Sequence, residues 1–279
     1  MMQVFLPQEI GFCFGVERAL KLVLDQIKKS GKTYTLGDLI HNSQVVENLK
    51  RRGIESIENL SQIKEGTLVI RSHGADPSLI EEAKKRKIRV LNATCPHVVE
   101  VQNIVKSLSQ KSYLVVIVGS NTHPEVKGLM ASVKNGKVYV VKNEREAEKL
   151  PSVRKMGIIA QTTESLDNFS NIVKNLIAKG KECRAFNTIC TIIRERQEGI
   201  LKLAEKTQAV IVIGGYNSSN TRQLVKLCRS SGAKTYFIEK EKDLDTEELK
   251  GIKTIALTGG TSTPRETIEK IKNKLSLIN

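Results

Sequence analysis

Two stretches of the chain, RVLNATCPHVVEVQ at residues 89–102 and RAFNTICTIIRERQ at residues 184–197, share one pattern. In each, a strand-like run ends in Asn, and a cysteine follows three residues later, Cys95 in the first stretch and Cys190 in the second. Beyond the cysteines the two copies align without a gap through a helical pattern and a second strand-like run. Internal similarity of this length predicts that the chain repeats one structural unit.

A third cysteine, Cys13 in GFCFGVERAL, extends the repeat. In all three copies a glycine stands 24 residues after the cysteine and a polar residue stands 28 residues after it: Gly37, Gly119 and Gly214, then His41, His123 and Ser218. The repeat predicts three units of about 90 residues, at the lower end of domain sizes. We place them at residues 14–94, 95–189 and 190–279, with an N-terminal strand in 1–13 packing against the third unit.

Short β-branched runs alternate with helical patterns along the whole chain. The runs are TLVIRS, KIRVLNA, YLVVIVGS, KVYVVK, MGIIAQ, AVIVIGG, KTYFIE and TIALTGG. Strands that are apolar on both faces and separated by helices are typical of parallel sheets covered by helices. We therefore predict an α/β fold with three pseudo-threefold-related domains, each with a small parallel sheet.

The charge balance constrains the partners. Lys and Arg number 45 against 30 Asp and Glu, a net charge of +15, which favours an anionic partner. Aromatic residues are 4%, tryptophan is absent and no nucleic-acid-binding motif is found, so nucleic acid is not expected. No apolar run approaches the ~20 residues that span a bilayer, and the start lacks a signal-peptide layout. Together with five widely spaced cysteines, these features predict a soluble cytoplasmic protein without a membrane partner.

Polar residues recur in the turns after the predicted strands. One set of turns reads HNS at 41–43, HPE at 123–125 and SSN at 218–220. A second set contributes His73 in RSHG, Thr162 and Thr163 in AQTTES, and Ser262 in TGGTSTP. Equivalent positions in a pseudo-threefold arrangement face a common centre, so the three cysteines are expected to meet there among these polar residues.

Three converging thiolates fit more than one metal. Zinc would take a fourth ligand such as His. A 4Fe–4S cluster tolerates three thiolates and keeps one iron open as a Lewis acid and electron carrier. A zinc hydrolase and a basic polyanion-binding protein with a structural metal therefore remain alternatives to a redox enzyme. For Cys183, Cys228 and His97 we expect structural roles.

The surrounding polar residues have the character of an anion pocket. Hydroxyls and backbone N–H groups at the start of helices can hold phosphate, as expected for Ser218, Ser219, Asn220 and Ser262. His41, His73 and His123 add hydrogen-bond donors. Glu125 is the carboxylate best placed to supply a proton. The phenylalanines that flank Cys13 are expected to keep water away from it.

Taken in order, the motifs GFCFGVERA, HN, SHG, NATCP, THPEVKG, QTTES, NTIC, NSSN and TGGTSTP resemble those of the 4-hydroxy-3-methylbut-2-enyl diphosphate reductase family, the last enzymes of the methylerythritol phosphate route to isoprenoids. The resemblance covers essentially the whole chain. It implies a three-domain trefoil around one oxygen-sensitive 4Fe–4S cluster bound by Cys13, Cys95 and Cys190. It also implies substrate contacts and a proton donor, Glu125; the contacts are His41, His73, His123, Thr162, Ser218, Ser219, Asn220 and Ser262.

The family reaction is a reductive dehydroxylation. Two electrons and two protons remove the allylic hydroxyl of the diphosphate substrate as water, with protons arriving through Glu125 and Thr162, and give isopentenyl and dimethylallyl diphosphates. The resemblance further implies a monomer that accepts electrons from ferredoxin or flavodoxin. One departure stands out: Ile192 and Ile193 occupy positions where the family usually has Ala and Thr, so one expected hydroxyl is missing.

Overall fold

A computed structural model describes residues 2–29, 31–134 and 136–277 of the chain. In these ranges the chain forms twelve strands and ten α-helices, with four short 3-10 turns. The strands are β1 (Gln3–Phe5), β2 (Thr33–Leu36), β3 (Ile54–Ile57), β4 (Thr67–Ile70), β5 (Arg89–Asn92), β6 (Leu114–Val118), β7 (Val138–Val141), β8 (Val153–Ala160), β9 (Gly180–Phe186), β10 (Ala209–Ile213), β11 (Lys234–Ile238) and β12 (Thr254–Gly259). The helices are α1 (Phe14–Ile27), α2 (Ser43–Arg51), α3 (Pro77–Lys85), α4 (Pro96–Gln110), α5 (Pro124–Ala131), α6 (Glu144–Glu148), α7 (Leu166–Leu176), α8 (Thr191–Ala204), α9 (Ser219–Ser230) and α10 (Arg265–Ser276).

The strands form three four-stranded sheets, in the orders β3-β2-β4-β5, β7-β6-β8-β9 and β11-β10-β12-β1. Neighbouring strands in each sheet run parallel. Parallel neighbours need a crossover connection, which the interleaved helices supply. The predicted α/β fold with three small parallel sheets is confirmed.

The three sheets repeat one strand order, with one difference in how the chain supplies the fourth strand. In the first two sheets that strand, β5 or β9, follows its neighbours in sequence. In the third sheet it is β1, which pairs with β12 in the register Gln3↔Thr254 to Phe5↔Ala256. The first strand of the chain therefore completes the sheet that is built from its last strands.

The chain divides into two compact units. One comprises Met1–Val16, His41–Val45 and Thr191–Asn279 and contains the sheet with β1. The other comprises Glu17–Ile40 and Val46–Cys190 and contains the other two sheets. The three domain boundaries expected from the repeat stay a prediction.

Strand β6 shows why the sequence of a central strand is apolar throughout. Its residues 114, 116 and 118 pack on one face of the sheet with α7, and residues 115 and 117 pack on the other face with α4 and α5. All five side chains are at most 8% exposed. Burying a side chain of this size contributes about 1.5–3 kcal/mol, so the strand is held from both faces.

The helices of the described residues include none that is both long enough and apolar enough to cross a membrane.

Candidate active site

The three cysteines of the repeat share one position in the fold. Cys13, Cys95 and Cys190 each directly precede a helix, α1, α4 and α8 respectively, and each is half-buried. All five cysteines of the chain lie within the described residues, and none is in a disulfide. Each of the three therefore lies at the positive end of a helix dipole.

Each of these cysteines is also anchored by the same backbone hydrogen bond. Its N–H group donates to a carbonyl in the turn after the neighbouring strand of the same sheet. The three bonds are Cys13 to Thr261 at 3.2 Å, Cys95 to Ser72 at 3.0 Å and Cys190 to Thr162 at 3.0 Å. The acceptors lie in TGGTSTP, RSHG and AQTTES, the turns that the sequence predicts to carry polar site residues.

The glycines 24 residues after the cysteines are equivalent as well. Their N–H groups donate to the carbonyl of the last residue of β3, β7 or β11, each at 2.9 Å: Gly37 to Ile57, Gly119 to Val141 and Gly214 to Ile238. Gly37 has a φ of 70° and Gly214 a φ of 152°, values that favour glycine. These turns end β2, β6 and β10 and lead to the polar residues that begin α2, α5 and α9.

The residues that cap the helices stand at the repeated position in the second and third copies of the repeat. In the first copy the cap lies one residue later. The His123 Nδ1 accepts the N–H of Glu125 at 3.2 Å and caps α5. The hydroxyl of Ser218 accepts the N–H of Thr221 at 3.3 Å and caps α9. In the first copy, Asn42 instead makes this kind of bond, to the N–H of Val45 at 3.1 Å. His41 therefore precedes the cap and does not form it, although it stands at the same offset as His123.

Glu125 and Thr162 form a hydrogen-bonded pair inside the compact unit that contains the first two sheets. The Thr162 N–H donates to Oε1 of Glu125 at 2.8 Å, and the Thr162 hydroxyl donates to Oε2 at 2.7 Å. Glu125 is 1% exposed and Thr162 is 7% exposed. Because Thr162 also accepts the N–H of Cys190, one residue connects the buried carboxyl to a cysteine of the repeat.

Burial raises the pKa of the Glu125 carboxyl above its ordinary value, opposed by the two hydrogen bonds from Thr162 and by the charge of His97. A raised pKa keeps the proton on the carboxyl to higher pH than for an exposed glutamate. The hydroxyl of Thr162 can equally accept from a protonated Oε2, since a hydroxyl can act in either direction. The pair can therefore hold a proton without losing its contact.

Two histidines, His73 and His123, lie next to each other in the compact unit that contains the first two sheets. The rings of His73 and His123 meet edge to face with 5.3 Å between their centroids. His123 is 6% exposed. Because the Nδ1 of His123 accepts the N–H of Glu125, its neutral form carries the ring proton on Nε2.

In the compact unit that contains the sheet with β1, several of the predicted polar residues lie near the start of α9. Asn220 is 3% exposed, and neither polar atom of its side-chain amide has a hydrogen-bond partner within the described residues. A buried amide without partners costs free energy, so such a group is typical of a site that a ligand completes. The Ser262 hydroxyl donates to the carbonyl of His41 at 3.0 Å, which ties together two of the predicted turns.

Two glycines allow the backbone to approach this region closely. A Cβ on Gly215 would lie 2.5 Å from the carbonyl oxygen of His41, and a Cβ on Gly260 would lie 2.1 Å from the hydroxyl of Thr221. Both distances are shorter than real Cβ contacts, so a side chain at either position would force its neighbours to shift. Gly215 and Gly260 are therefore favoured by the packing around the start of α9.

The other two cysteines have different surroundings. Cys228 is fully buried in α9, and desolvation raises the pKa of its thiol to about 11, which disfavours the thiolate that a metal needs. The thiol of Cys183 lies 3.7 Å from the carbonyl oxygens of Ile177 and Gly180. Both arrangements are consistent with the expected packing roles.

Two apolar side chains lie close in sequence to the cysteines, one exposed and one buried. Phe14, next to Cys13, is 60% exposed, so the expectation that it shields the cysteine from water is wrong. Ile193 is 5% exposed within α8, so an aliphatic side chain fills the position where the family resemblance leads us to expect a hydroxyl.

Two residues of the site were not assigned from the sequence. The side chain of Gln161 connects two turns, since its Oε1 accepts the N–H of Ser120 at 3.1 Å and its Nε2 donates to Thr163 at 2.9 Å. Arg196 is fully buried and donates to the carbonyls of Gly11 at 2.7 Å and Gly259 at 3.1 Å. The only sequence signal for either is its position near predicted site residues, since Gln161 directly precedes Thr162 and Arg196 stands six residues after Cys190.

Residues 4–276 match the family described as LytB protein. The 4-hydroxy-3-methylbut-2-enyl diphosphate reductase of Geotalea uraniireducens is 43% identical over 278 residues, which cover 100% of this chain and 98% of that protein. The reductase of the same name from Geobacter metallireducens is 41% identical over 278 residues, again covering 100% of this chain and 98% of that protein.

Two solved structures are similar over nearly the whole chain. The E-1-hydroxy-2-methyl-but-2-enyl-4-diphosphate reductase from Plasmodium falciparum superposes with a TM-score of 0.94 at 31% identity, covering 99% of this chain and 88% of that one. An (E)-4-hydroxy-3-methyl-but-2-enyl diphosphate reductase, described as the terminal enzyme of the non-mevalonate pathway, gives a TM-score of 0.72 at 38% identity and 99% coverage of both chains. Sequence and structure agree: the chain belongs to the LytB family, together with these reductases.

Proposed function

We propose that the chain reduces (E)-4-hydroxy-3-methylbut-2-enyl diphosphate to isopentenyl and dimethylallyl diphosphates. Each turnover takes up two electrons and two protons, breaks the allylic C–O bond and releases water. The names of the similar proteins support this assignment. The relatives are reductases, which argues against the zinc hydrolase and the polyanion-binding protein.

One observation in the chain itself carries the proposal. Thr162 is hydrogen-bonded through its N–H and hydroxyl to the buried carboxyl of Glu125, and through its carbonyl to the N–H of Cys190. One residue thus contacts both the proposed proton donor and the backbone of a proposed cluster ligand. Such an arrangement suits a reaction in which a hydroxyl must be protonated beside a redox cofactor.

The donor set fits a 4Fe–4S cluster bound by Cys13, Cys95 and Cys190. The three thiols have the same position before a helix and the same backbone anchor, whereas Cys228 is buried as a neutral thiol. When bound, such a cluster supplies electrons and one iron without a protein ligand. The proposal that all three cysteines hold one cluster rests on the repeat and on the family.

Glu125 and Thr162 would handle the proton for the departing hydroxyl. The raised pKa of Glu125 favours the protonated carboxyl, and the hydrogen bond from the Thr162 N–H fixes Oε1 as an acceptor. The proton therefore resides on Oε2, in contact with the Thr162 hydroxyl. Transfer from Oε2 to that hydroxyl, with release of the hydroxyl's own proton to the departing hydroxyl of the substrate, would move a proton outward by one residue and leave Glu125 as a carboxylate.

The start of α9 would hold the diphosphate. Its first turn contains no acidic residue, and the backbone N–H groups of Ser219 and Asn220 lie at the positive end of the helix dipole. The side-chain amide of Asn220 is a buried donor awaiting an acceptor. We assign Ser218 and Ser262 to the same pocket, and His41, His73 and His123 to the remaining substrate contacts.

The partners follow from the same proposal. The net charge of +15 suits an acidic electron donor such as ferredoxin or flavodoxin. We further propose a monomer of three α/β domains that works in the cytoplasm. The location rests on widely spaced cysteines that form no disulfide in the described residues.

Anaerobic purification tests the proposal directly. We expect brown protein with about four iron atoms per chain, which consumes the allylic diphosphate when a chemical reductant is supplied. Colourless protein with stoichiometric zinc would contradict the cluster. Brown protein that leaves the substrate unchanged, with the reductant shown to reduce the cluster, would contradict the assigned reaction.

A further inference from the structure

Each cysteine of the repeat follows a segment whose backbone is held by a side chain from elsewhere in the chain. Arg18 donates to the carbonyl of Thr94, one residue before Cys95, at 3.1 Å. The Nε2 of His97 lies 3.2 Å from the carbonyl of Thr188, two residues before Cys190. A carbonyl only accepts, so this ring nitrogen carries the proton.

Arg196 makes the third contact of this kind. Its Nη2 donates at 2.7 Å to the carbonyl of Gly11, two residues before Cys13. Its Nη1 donates at 3.1 Å to the carbonyl of Gly259, two residues before Thr261, which in turn accepts the N–H of Cys13. One guanidinium thus fixes both the segment that carries the cysteine and the turn that anchors it.

The three contacts link the three copies of the repeat in cyclic order. The helix after Cys13 holds the segment before Cys95, the helix after Cys95 holds the segment before Cys190, and the helix after Cys190 holds the segment before Cys13. The paired residues are 76, 91 and 185 positions apart in the chain. Local sequence cannot produce contacts over such separations, so they are features of the assembled fold.

We infer that Arg18, His97 and Arg196 are positioning residues for the metal centre. They fix the backbone before each cysteine and thereby fix where each sulfur is presented. The inference rests on the proposed function, because it takes the three cysteines as ligands of one cluster. Groups that orient metal ligands in this way change metal retention by about 10- to 100-fold when they are removed.

The two arginines add a second effect. A guanidinium stays charged at any relevant pH, and Arg196 is fully buried, so its charge is poorly screened. Fixed positive charge favours an added electron on a nearby anionic centre, because the reduction potential of an iron–sulfur cluster depends on the charge and hydrogen bonding around it. His97 acts in this scheme as a hydrogen-bond donor, and no charge on it is required.

The test compares two variants on one helix. R18M and K21M each remove one positive charge from α1, but only Arg18 holds the Thr94 carbonyl, while Lys21 is exposed. Both are prepared anaerobically as holoprotein and challenged with an iron chelator while the loss of cluster absorbance is followed. We expect R18M to lose its cluster about tenfold faster than wild type or more, and K21M to match wild type.

Reduction potential separates positioning from general stability. The potential of the clusters that remain is measured by redox titration with electron paramagnetic resonance. We expect it to fall in R18M, to recover in R18K, and to stay unchanged in K21M. If Arg18 only stabilised the fold, R18M would unfold at lower temperature with an unchanged potential in the retained cluster.

Arg196 is tested with the conservative variant, because removal of a buried guanidinium can prevent folding. R196K keeps the positive charge but removes the guanidinium group, whose two nitrogens donate to the carbonyls of Gly11 and Gly259. We expect faster cluster loss than in K202M, which removes an exposed charge from the same helix. The inference is overturned if R18M and R196K hold their clusters as long as their controls do. Absence of a cluster in wild type would instead reject the proposed function.

Discussion

Replacement of Glu125 by glutamine tests the proposed proton path with little change in shape. Oε1 of Glu125 accepts the N–H of Thr162 at 2.8 Å, so the oxygen of a glutamine amide must take this place. The amide nitrogen then faces the Thr162 hydroxyl, which lies 2.7 Å from Oε2 in the native protein and can accept from it. E125Q therefore keeps both hydrogen bonds and loses only the exchangeable acid proton.

The expected cost follows from what is lost. Positioned general acids contribute about 10²- to 10⁴-fold in rate. We expect turnover of the allylic diphosphate by E125Q to fall by about 10² or more, which corresponds to about 2.7 kcal/mol in the activation barrier. Iron content and the reduction potential should stay at their native values, because the contact from Thr162 to Cys190 is a backbone bond that the substitution does not touch.

The same variant makes a prediction about stability and pH. Burial raises the folded-state pKa of Glu125 above its ordinary value of 4.5. A raised pKa stabilises the fold below the ordinary value, and this contribution is lost as the pH rises through the folded-state pKa. Glutamine does not titrate, so the melting temperature of E125Q relative to wild type should increase as the pH rises above 4.5.

The assay follows substrate consumption by anaerobic protein with a chemical reductant in excess, alongside thermal melts at several pH values. Turnover of E125Q near the native rate, with a native iron content, would refute the role of Glu125 as proton donor. A melting difference between E125Q and wild type that stays constant with pH would refute the raised pKa.

Four further single substitutions and one double variant test the ligands, the relay and the packing. C13S should lose most of the iron, whereas the same change in the buried thiol, C228S, should retain both iron and activity. T162V keeps the backbone bonds of Thr162 and removes its hydroxyl, so we expect an intact cluster with turnover reduced by about 10²-fold, the lower end of the range for a lost proton-transfer group. G260A places a Cβ against the hydroxyl of Thr221 and should cost about 1–3 kcal/mol in unfolding free energy, part of which the double variant G260A/T221A should recover.

The strands that the sequence predicts best are those buried on both faces. AVIVI in β10 is buried at every position, so its apolar run identifies it directly. The hydropathy pattern does not predict TYTL in β2, because half of its residues are threonines, Thr33 and Thr35, although each is only 2% exposed. GKECRAF in β9 lies at a sheet edge and is half-exposed, so nothing in its hydropathy separates it from a loop.

The candidate site was predictable where it depends on local geometry. The cysteine-to-glycine spacing reflects one helix and one strand, and the glycines indeed make equivalent backbone bonds. The spacing to the helix cap was less reliable, since Asn42 and not His41 caps α2. Contacts between distant segments, such as Arg196 with Gly11, leave no periodic signal in the sequence and require the folded chain.

His97 shows that each copy of the repeat can contain a residue with the same role, although the residue type and its position differ. Comparison of equivalent positions gives His97 no counterpart, because Ile192 stands at its place in the third copy. The three anchoring residues lie two, five and six positions after their cysteines, at His97, Arg18 and Arg196. Positions that differ by three or four residues share one face of a helix. A short imidazole one turn earlier and a long guanidinium one turn later can therefore serve the same carbonyl-holding role, so the helix face is the repeated feature and the residue position is not.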